Sequence, residues 1–133
     1  MRVSELMQRH VKTVSPDAAV NDAVVTLADS HISALPVVDG MGRMVGVISS
    51  TDILTSEAEA EDAAARKSLF EDTMVRDLMT AHPLTVSAAA DVREAAQQML
   101  YADVHRLFVV DGERVAGVIS TTDIMRAVAT GRL

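Results

Sequence analysis

The spacing of apolar residues divides the chain into alternating helical and extended segments. Between residues 20 and 28 apolar side chains recur three and four positions apart, as on one face of a helix, and residues 92 to 100 repeat this spacing. Apolar runs at 35–40 and 107–112 end in Asp-Gly, which is typical of a buried strand entering a tight turn. Returning strands are expected at Met44–Ser49 and Val115–Ser120, each leading into a second helix that begins near residue 50 or 121.

The pattern recurs because the sequence itself is duplicated. Residues 3–40 are identical to residues 75–112 at 15 of 38 positions, and residues 43–53 are identical to residues 114–124 at eight of eleven. We therefore expect two copies of one strand, helix, strand, strand, helix unit. A unit of about sixty residues is small for an independent core, so the copies should pack about a pseudo-twofold axis as one α/β (α+β) module.

Each copy opens in the same way. A short amphipathic segment comes first, Val-Ser-Glu-Leu-Met at 3–7 and Val-Arg-Asp-Leu-Met at 75–79. Thr-Val-Ser follows at 13–15 and 85–87, and its β-branched residues predict a short strand.

These features divide the chain into a first motif over residues 1–54 and a second over residues 74–133. The joining residues, 55–73, are rich in Ala and Glu and lack Gly and Pro. This composition favours one long helix between the motifs over a flexible linker.

Composition narrows the classes of protein to consider. The chain is 49% hydrophobic but only 2% aromatic, so its core must be aliphatic, and the absence of cysteine excludes disulfides, thiolate metal sites and a cysteine nucleophile. A net charge of −7 opposes binding to nucleic acid. No apolar stretch approaches a membrane span or a secretory signal, so we expect an unprocessed cytoplasmic protein.

The strongest local match between the copies is Gly-Val-Ile-Ser-x-Thr-Asp, at residues 46–52 and 117–123. It falls where a strand runs into a helix, and such a junction directs free backbone N–H groups and the positive end of the helix dipole to one point. Hydroxyls there can donate to a phosphate, and a carboxylate one turn into the helix can accept both hydroxyls of a ribose. The alternative is that Ser-x-x-Asp is a capping box, which starts a helix and needs no ligand.

Both copies resemble the CBS-domain family, in which a tandem pair of motifs is often called a Bateman module. The resemblance rests on Thr-Val-Ser, on Leu-Pro-Val-Val-Asp-Gly, and on Gly-Val-Ile-Ser-x-Thr-Asp with its duplicate, all in order. It implies two βαββα motifs that bind adenosine-containing ligands such as AMP, ADP, ATP or S-adenosylmethionine in clefts between the repeats.

The resemblance also implies roles for particular residues. Ribose contacts are expected from Asp52 and Asp123. Phosphate or ribose contacts are expected from Ser49, Thr51, Ser120 and Thr122. Backbone that encloses the base is expected near Thr13, Ala34, Leu35, Pro36, Thr85, Arg106, Leu107 and Phe108.

The copies differ at one place that bears on the ligand. Ser33-Ala34 aligns with His105-Arg106, so only the second copy brings a cation. His-Arg-Leu followed by Val-Val-Asp resembles the nucleotide-sensing gamma subunits of AMP-activated protein kinase, which implies phosphate contacts for His105 and Arg106. The alternatives are a surface ion pair of Arg106 with Asp103 and a partly buried His105 bonded to backbone. Which aspartate Arg106 serves stays open, and we expect unequal clefts with one dominant site.

The leading functional prediction is a regulatory module and not an enzyme. Nucleotide occupancy would shift how the module associates with itself, as a homodimer, or with a target protein in trans. No cofactor, metal site or catalytic residue is predicted, because no Ser-His-Asp arrangement or metal cluster is legible and His10 and His82 stand alone. The alternative is a structural dimerisation module whose clefts are vestigial and hold no ligand.

Overall fold

The computed structural model describes all residues from 1 to 133, with seven helices and six strands. The helices are α1 (Val3–Leu6), α2 (Val20–Ser30), α3 (Ser50–Glu59), α4 (Ala63–Asp72), α5 (Val75–Leu78), α6 (Val92–Ala102) and α7 (Thr121–Ala129). The strands are β1 (Ala34–Val38), β2 (Met44–Ser49), β3 (Thr80–Ala81), β4 (Thr85–Ser87), β5 (Arg106–Asp111) and β6 (Arg114–Ser120). The α+β class and the order of the main elements in each copy are confirmed.

One compact unit consists of residues 12–83 and is built on a three-stranded antiparallel sheet. β1 and β2 form the hairpin, and β3 pairs with the other edge of β2. The apolar faces of the helices close over this sheet because they carry the three-and-four spacing. The buried core is aliphatic and consists of Val20, Ala23, Leu27, Leu35, Val37, Ile48, Ile53 and Val75.

The other compact unit combines residues 1–11 with residues 84–133. β5 lies at the centre of its sheet, parallel to β4 and antiparallel to β6. Its core repeats the composition of the first and consists of Val3, Met7, Val86, Ala95, Met99, Leu107, Val109 and Ile119.

The short opening helices are exchanged between the sequence copies. The N–H of Val3 donates to the carbonyl of Ala90 at 2.8 Å, and the N–H of Val75 donates to the carbonyl of Ala18 at 2.8 Å. Both valines are fully buried. Each compact unit therefore takes its opening helix from one sequence copy and its hairpin from the other.

The short strand expected at 13–15 is reduced to a single bridge, Val14 to Val37, whereas 85–87 forms β4 as expected. Proline explains the difference. Ala88 donates its N–H to the carbonyl of Val110 at 2.9 Å, but the aligned residue in the first copy is Pro16, which has no N–H. Pro36, which also has no N–H, aligns with Phe108, the residue of β5 that pairs with Thr85 of β4. The ladder cannot extend past one bridge.

The single long helix expected at 55–73 is wrong in its continuity. α3 ends at Glu59 and α4 begins at Ala63, because the carboxylate of Asp62 accepts the N–H of Ala65 at 2.8 Å and caps a new helix. Phe70 then packs against the core of the unit formed by residues 12–83.

Candidate functional site

Both Ser-x-x-Asp segments form a strand-to-helix turn held by reciprocal hydrogen bonds. Ser49 ends β2, and its Oγ accepts the N–H of Asp52 at 3.1 Å while Asp52 Oδ2 accepts the N–H of Ser49 at 2.9 Å. Ser120 and Asp123 make the same pair of bonds at 3.2 and 2.8 Å where β6 meets α7. Each turn is therefore a capping box, and this box uses only Oδ2 of its aspartate.

The glycine that opens each motif is required by close packing on the strand. A Cβ built on Gly117 would lie 2.4 Å from the carbonyl oxygen of Gln8 and 2.9 Å from the sulfur of Met7. A Cβ on Gly46 would lie 2.7 Å from the sulfur of Met79. Because no real Cβ approaches so closely, only glycine lets the segment after each opening helix run against the strand that leads to the turn.

Asp123 is almost completely engaged by the protein. Besides the N–H of Ser120, its Oδ2 accepts the hydroxyl of Ser120 at 3.0 Å. Its Oδ1 accepts the side-chain amide of Gln8 at 3.1 Å and lies 3.9 Å from the guanidinium of Arg126. Asp123 is only 8% exposed, and it is the one buried charged residue of the chain.

Asp52 has the same place in its turn but far fewer partners. It is partly exposed, and the N–H of Ser49 is the only donor to its carboxylate. Its Oδ1 accepts no hydrogen bond from the protein and is free to accept hydroxyl donors from a ligand.

A threonine precedes each aspartate and leaves two donors free. Thr51 and Thr122 are exposed, and neither the backbone N–H nor the hydroxyl of either residue makes a hydrogen bond within the protein. Each turn therefore presents a backbone N–H and a hydroxyl at the positive end of a helix dipole, which is an arrangement that favours an oxyanion.

In the unit of residues 12–83 the strand register brings other predicted residues beside the Asp52 turn. Ala34 lies opposite Ser49 in the hairpin, and the bridge at Val14 places Thr13 next to Pro36. Leu35 and Pro36 are buried, so only their backbone could face a ligand.

The register of the other unit is equivalent. Arg106 lies opposite Ser120, the carbonyl of His105 accepts the N–H of Thr121 at 2.9 Å, and Thr85 pairs with Phe108. Leu107 is buried in the core.

The side chains of His105 and Arg106 are exposed, contrary to the partly buried histidine considered as an alternative. Arg106 forms no salt bridge in the structure, with Asp103 or with any other carboxylate. The second turn therefore has an unpaired cation directly opposite its capping serine.

Sequence reasoning missed Gln8 and Arg126, the two residues that reach Asp123 from outside its capping box. Both line, with Asp123 and Arg132, a polar pocket of about 310 Å³. The sequence does show that position 8 differs between the copies, because Gln8 aligns with Thr80 immediately after the Leu-Met that is identical in the two opening segments.

Two further features of the structure bear on the class of site. No group of three or more His, Cys, Asp or Glu side chains is arranged to hold a metal ion. None of the helices combines the length and the apolar character needed to cross a membrane.

The fold and the duplicated turn define a tandem pair of α+β motifs, and comparison with known proteins gives the family. The CBS domain model matches twice, over residues 3–59 and 75–130. The chain belongs to the CBS-domain family and carries two tandem copies of the motif.

Relatives by sequence include the chloroplastic CBS domain-containing protein CBSX2 of Arabidopsis thaliana, which is 27% identical over 141 residues. That match covers 90% of this chain and 59% of CBSX2. An inosine-5'-monophosphate dehydrogenase of Methanocaldococcus jannaschii is 34% identical over an alignment of 128 residues, and the match covers 94% of this chain and 23% of the dehydrogenase. The chain thus spans only part of the length of these relatives.

Solved structures of CBS domain proteins also match this chain. The crystal structure of CBSX2 in complex with AMP matches with a TM-score of 0.82 and 28% identity, covering 99% of this chain and 98% of that one. The CBS domain pair of protein MJ0100, in complex with 5'-methylthioadenosine and S-adenosyl-L-methionine, matches with a TM-score of 0.73 and 24% identity, covering 98% of both chains. The second likeness establishes the fold alone.

Proposed function

We propose that this chain is a regulatory module that binds an adenosine-containing nucleotide, of the AMP, ADP, ATP or S-adenosylmethionine class, at its Ser-x-x-Asp turns. The observation that carries the proposal is the Asp52 turn, where a carboxylate oxygen, a threonine hydroxyl and a backbone N–H are all free of protein partners. The full-length likeness to CBSX2, whose crystal structure contains AMP, supports the ligand class.

The chemistry of the turn matches that of a nucleoside phosphate. The two hydroxyls of a ribose are donors, and an ionised carboxylate accepts them with stronger hydrogen bonds than a neutral acceptor would. A phosphate is an acceptor, and the free N–H and hydroxyl of Thr51 donate to it where the helix dipole is positive. At the second turn Arg106 adds an exposed cation opposite Ser120 that has no carboxylate partner.

Regulation follows from differential binding. A ligand shifts an equilibrium between two arrangements only by the difference in its affinity for them. The module has no catalytic activity of its own in this proposal, and it acts in the cytoplasm on a target protein in trans.

Isothermal titration with the four ligands tests the proposal. We expect saturable heat with at least one ligand, and affinity at the first turn reduced at least about tenfold in Asp52→Asn, since the amide loses the charge that strengthens both ribose bonds. The matched control is Asp62→Asn, because Asp62 caps α4 through the N–H of Ala65 but lies at no strand-to-helix turn.

This control separates ligand binding from helix capping. Both asparagines keep an oxygen that can accept the capping hydrogen bond, so each variant should lose at most about 1 kcal/mol of unfolding free energy, from the lost negative charge at a helix N-terminus. Only Asp52→Asn should weaken binding. The proposal fails if none of the four ligands gives heat or raises the melting temperature, or if the two variants weaken binding equally.

We also propose that the module is a homodimer, because each unit has an apolar groove between two of its helices. One groove, of about 250 Å³, lies between α6 and α7 and includes Leu100 and Met125. The other, of about 260 Å³, lies between α2 and α3 and includes Leu54. Leu54, Leu100 and Met125 are exposed, and equivalent grooves in the two units suit a second copy of the same chain.

A further inference from the structure

Position 8 and position 80 are equivalent places in the two units. Gln8 and Val118 exchange backbone hydrogen bonds, with the N–H of Gln8 donating at 2.8 Å and the N–H of Val118 at 3.0 Å. Thr80 is paired in the same way with Val47 in the sheet of the other unit. Val118 and Val47 are aligned residues of the repeated motif and precede their turns by the same number of residues. Gln8 and Thr80 are therefore paired at equivalent positions relative to the two turns.

The side chains at these places differ in what they do to the aspartate. The amide nitrogen of Gln8 reaches Asp123 Oδ1 at 3.1 Å. The hydroxyl of a threonine is attached directly to Cβ and is too short for the same reach, and Thr80 makes no hydrogen bond to Asp52.

The remaining capacity of the two carboxylates is correspondingly unequal. An ionised carboxylate offers about four lone-pair positions, and a ribose diol brings two O–H donors. Asp123 already accepts three hydrogen bonds, from the N–H and hydroxyl of Ser120 and from Gln8. Asp52 accepts one, from the N–H of Ser49. Asp52 can receive a diol as it stands. Asp123 has about one position left, and Gln8 is the hydrogen-bond donor from outside the capping box whose departure makes room for the second hydroxyl.

We infer that the residue at position 8 or 80 decides whether the aspartate of each turn is available to a ligand, so that Thr80 leaves the Asp52 turn open and Gln8 closes the Asp123 turn. The inference deepens the proposed function and depends on it. Gln8 is a specificity-determining residue here: it acts as an internal ligand that a nucleotide must displace. Because Gln8 and Asp123 line the same polar pocket, a shorter side chain at position 8 enlarges that pocket next to the freed oxygen.

A reciprocal exchange of the two residues tests the inference. AMP is titrated into proteins in which one turn is disabled, with Asp52→Asn reporting on the Asp123 turn and Asp123→Asn reporting on the Asp52 turn. We expect Gln8→Thr to raise the affinity of the Asp123 turn roughly tenfold or more, because a hydrogen bond to a charged acceptor no longer has to be broken. Thr80→Gln should lower the affinity of the Asp52 turn by a similar factor.

Matched controls use the same substitutions against the opposite turn. Gln8→Thr in the Asp123→Asn protein and Thr80→Gln in the Asp52→Asn protein should leave AMP affinity unchanged, and circular dichroism verifies that every variant is folded. Equal affinities at the two turns with no response to either exchange overturn the inference but leave the proposed function standing. Absence of binding in every variant, including the opened Asp123 turn, overturns both.

A second measurement needs no nucleotide. In the free protein the side-chain amide signals of Gln8 should be slowed in hydrogen exchange and should shift in Asp123→Asn, as observed by nitrogen-proton correlation NMR. Fast hydrogen exchange of the Gln8 side-chain amide, with signals that do not shift in Asp123→Asn, would contradict the closed turn directly.

Discussion

Gly117 is a residue at which one methyl group should matter. In Gly117→Ala the new Cβ would meet the carbonyl oxygen of Gln8 at 2.4 Å, and this oxygen cannot move aside cheaply because it accepts the N–H of Val118. We expect the free energy of unfolding to fall by about 1–3 kcal/mol, which is the usual cost of overpacking. Urea denaturation followed by circular dichroism measures this as a lower midpoint.

Gly40 provides the matched control in the turn of the first hairpin. A Cβ there meets nothing within 4 Å, and the backbone is outside the left-handed region. Gly40→Ala should therefore leave stability unchanged or raise it by about 0.4–1 kcal/mol, since alanine restricts the unfolded chain. Equal midpoints for the two variants would show that the contact at Gly117 is not limiting.

At the scale of single residues, hydrogen bonds between residues close in the sequence were predictable, and hydrogen bonds between residues far apart in the sequence were not. Ser-x-x-Asp predicts a capping box because its partners are three residues apart, and both boxes are present. The contact between Gln8 and Asp123 joins residues 115 positions apart and depends on the exchanged opening helix. No spacing rule reaches across that separation.

Each opening helix belongs to one sequence copy but packs in the compact unit that contains the hairpin of the other copy. Val3 belongs to the first copy but is buried in the unit that contains β4, β5 and β6. Val75 belongs to the second copy but is buried in the unit that contains β1, β2 and β3. A cavity at either position should therefore destabilise the hairpin of the opposite copy.

Hydrogen exchange measured by mass spectrometry tests this element by element. Val3→Ala should lower stability by roughly 2 kcal/mol and speed exchange mainly in β5 and β6, while Val75→Ala should act mainly on β1 and β2. Each variant is the control for the other. Faster exchange in β1 and β2 of Val3→Ala, with β5 and β6 unaffected, would contradict the exchanged packing.

The main elements were predictable because each has a strong period in its own sequence. The helices over 20–30 and 92–102 and both hairpins follow from apolar spacing and Asp-Gly turns. The strand at 13–15 and the helix across 55–73 were mispredicted, because the propensity of a segment does not take into account the hydrogen bonds that the segment makes in the fold. Pro16 and Pro36 remove donors from a ladder that only the fold aligns, and Asp62 stops one helix by capping the next.

The whole molecule is expected to associate through its apolar grooves. A chain of 14.2 kDa should sediment as a species of about twice that mass in analytical ultracentrifugation. Placing charges in the groove, as in Leu100→Glu with Met125→Glu, should produce the mass of a single chain because burying a carboxylate without a partner is costly.

Met41→Glu is the control for this change. Met41 is 66% exposed, much like Met125 at 63%, but it lies in the turn of the first hairpin and outside either groove. The control should keep the wild-type mass. A wild-type protein that has the mass of one chain at all concentrations refutes the dimer, and so does a groove variant that remains dimeric.

The exchange of opening helices also sets an order of events on the ribosome. Residues 12–83 form their unit from one continuous stretch of chain, whereas residues 1–11 need partners between residues 84 and 133. At about 5–20 residues per second, the required fifty residues take roughly 3–10 s to be translated after residue 83. During that time Val3 and Met7 lack the core that will bury them, so the first opening helix completes its packing only when the second hairpin has been made.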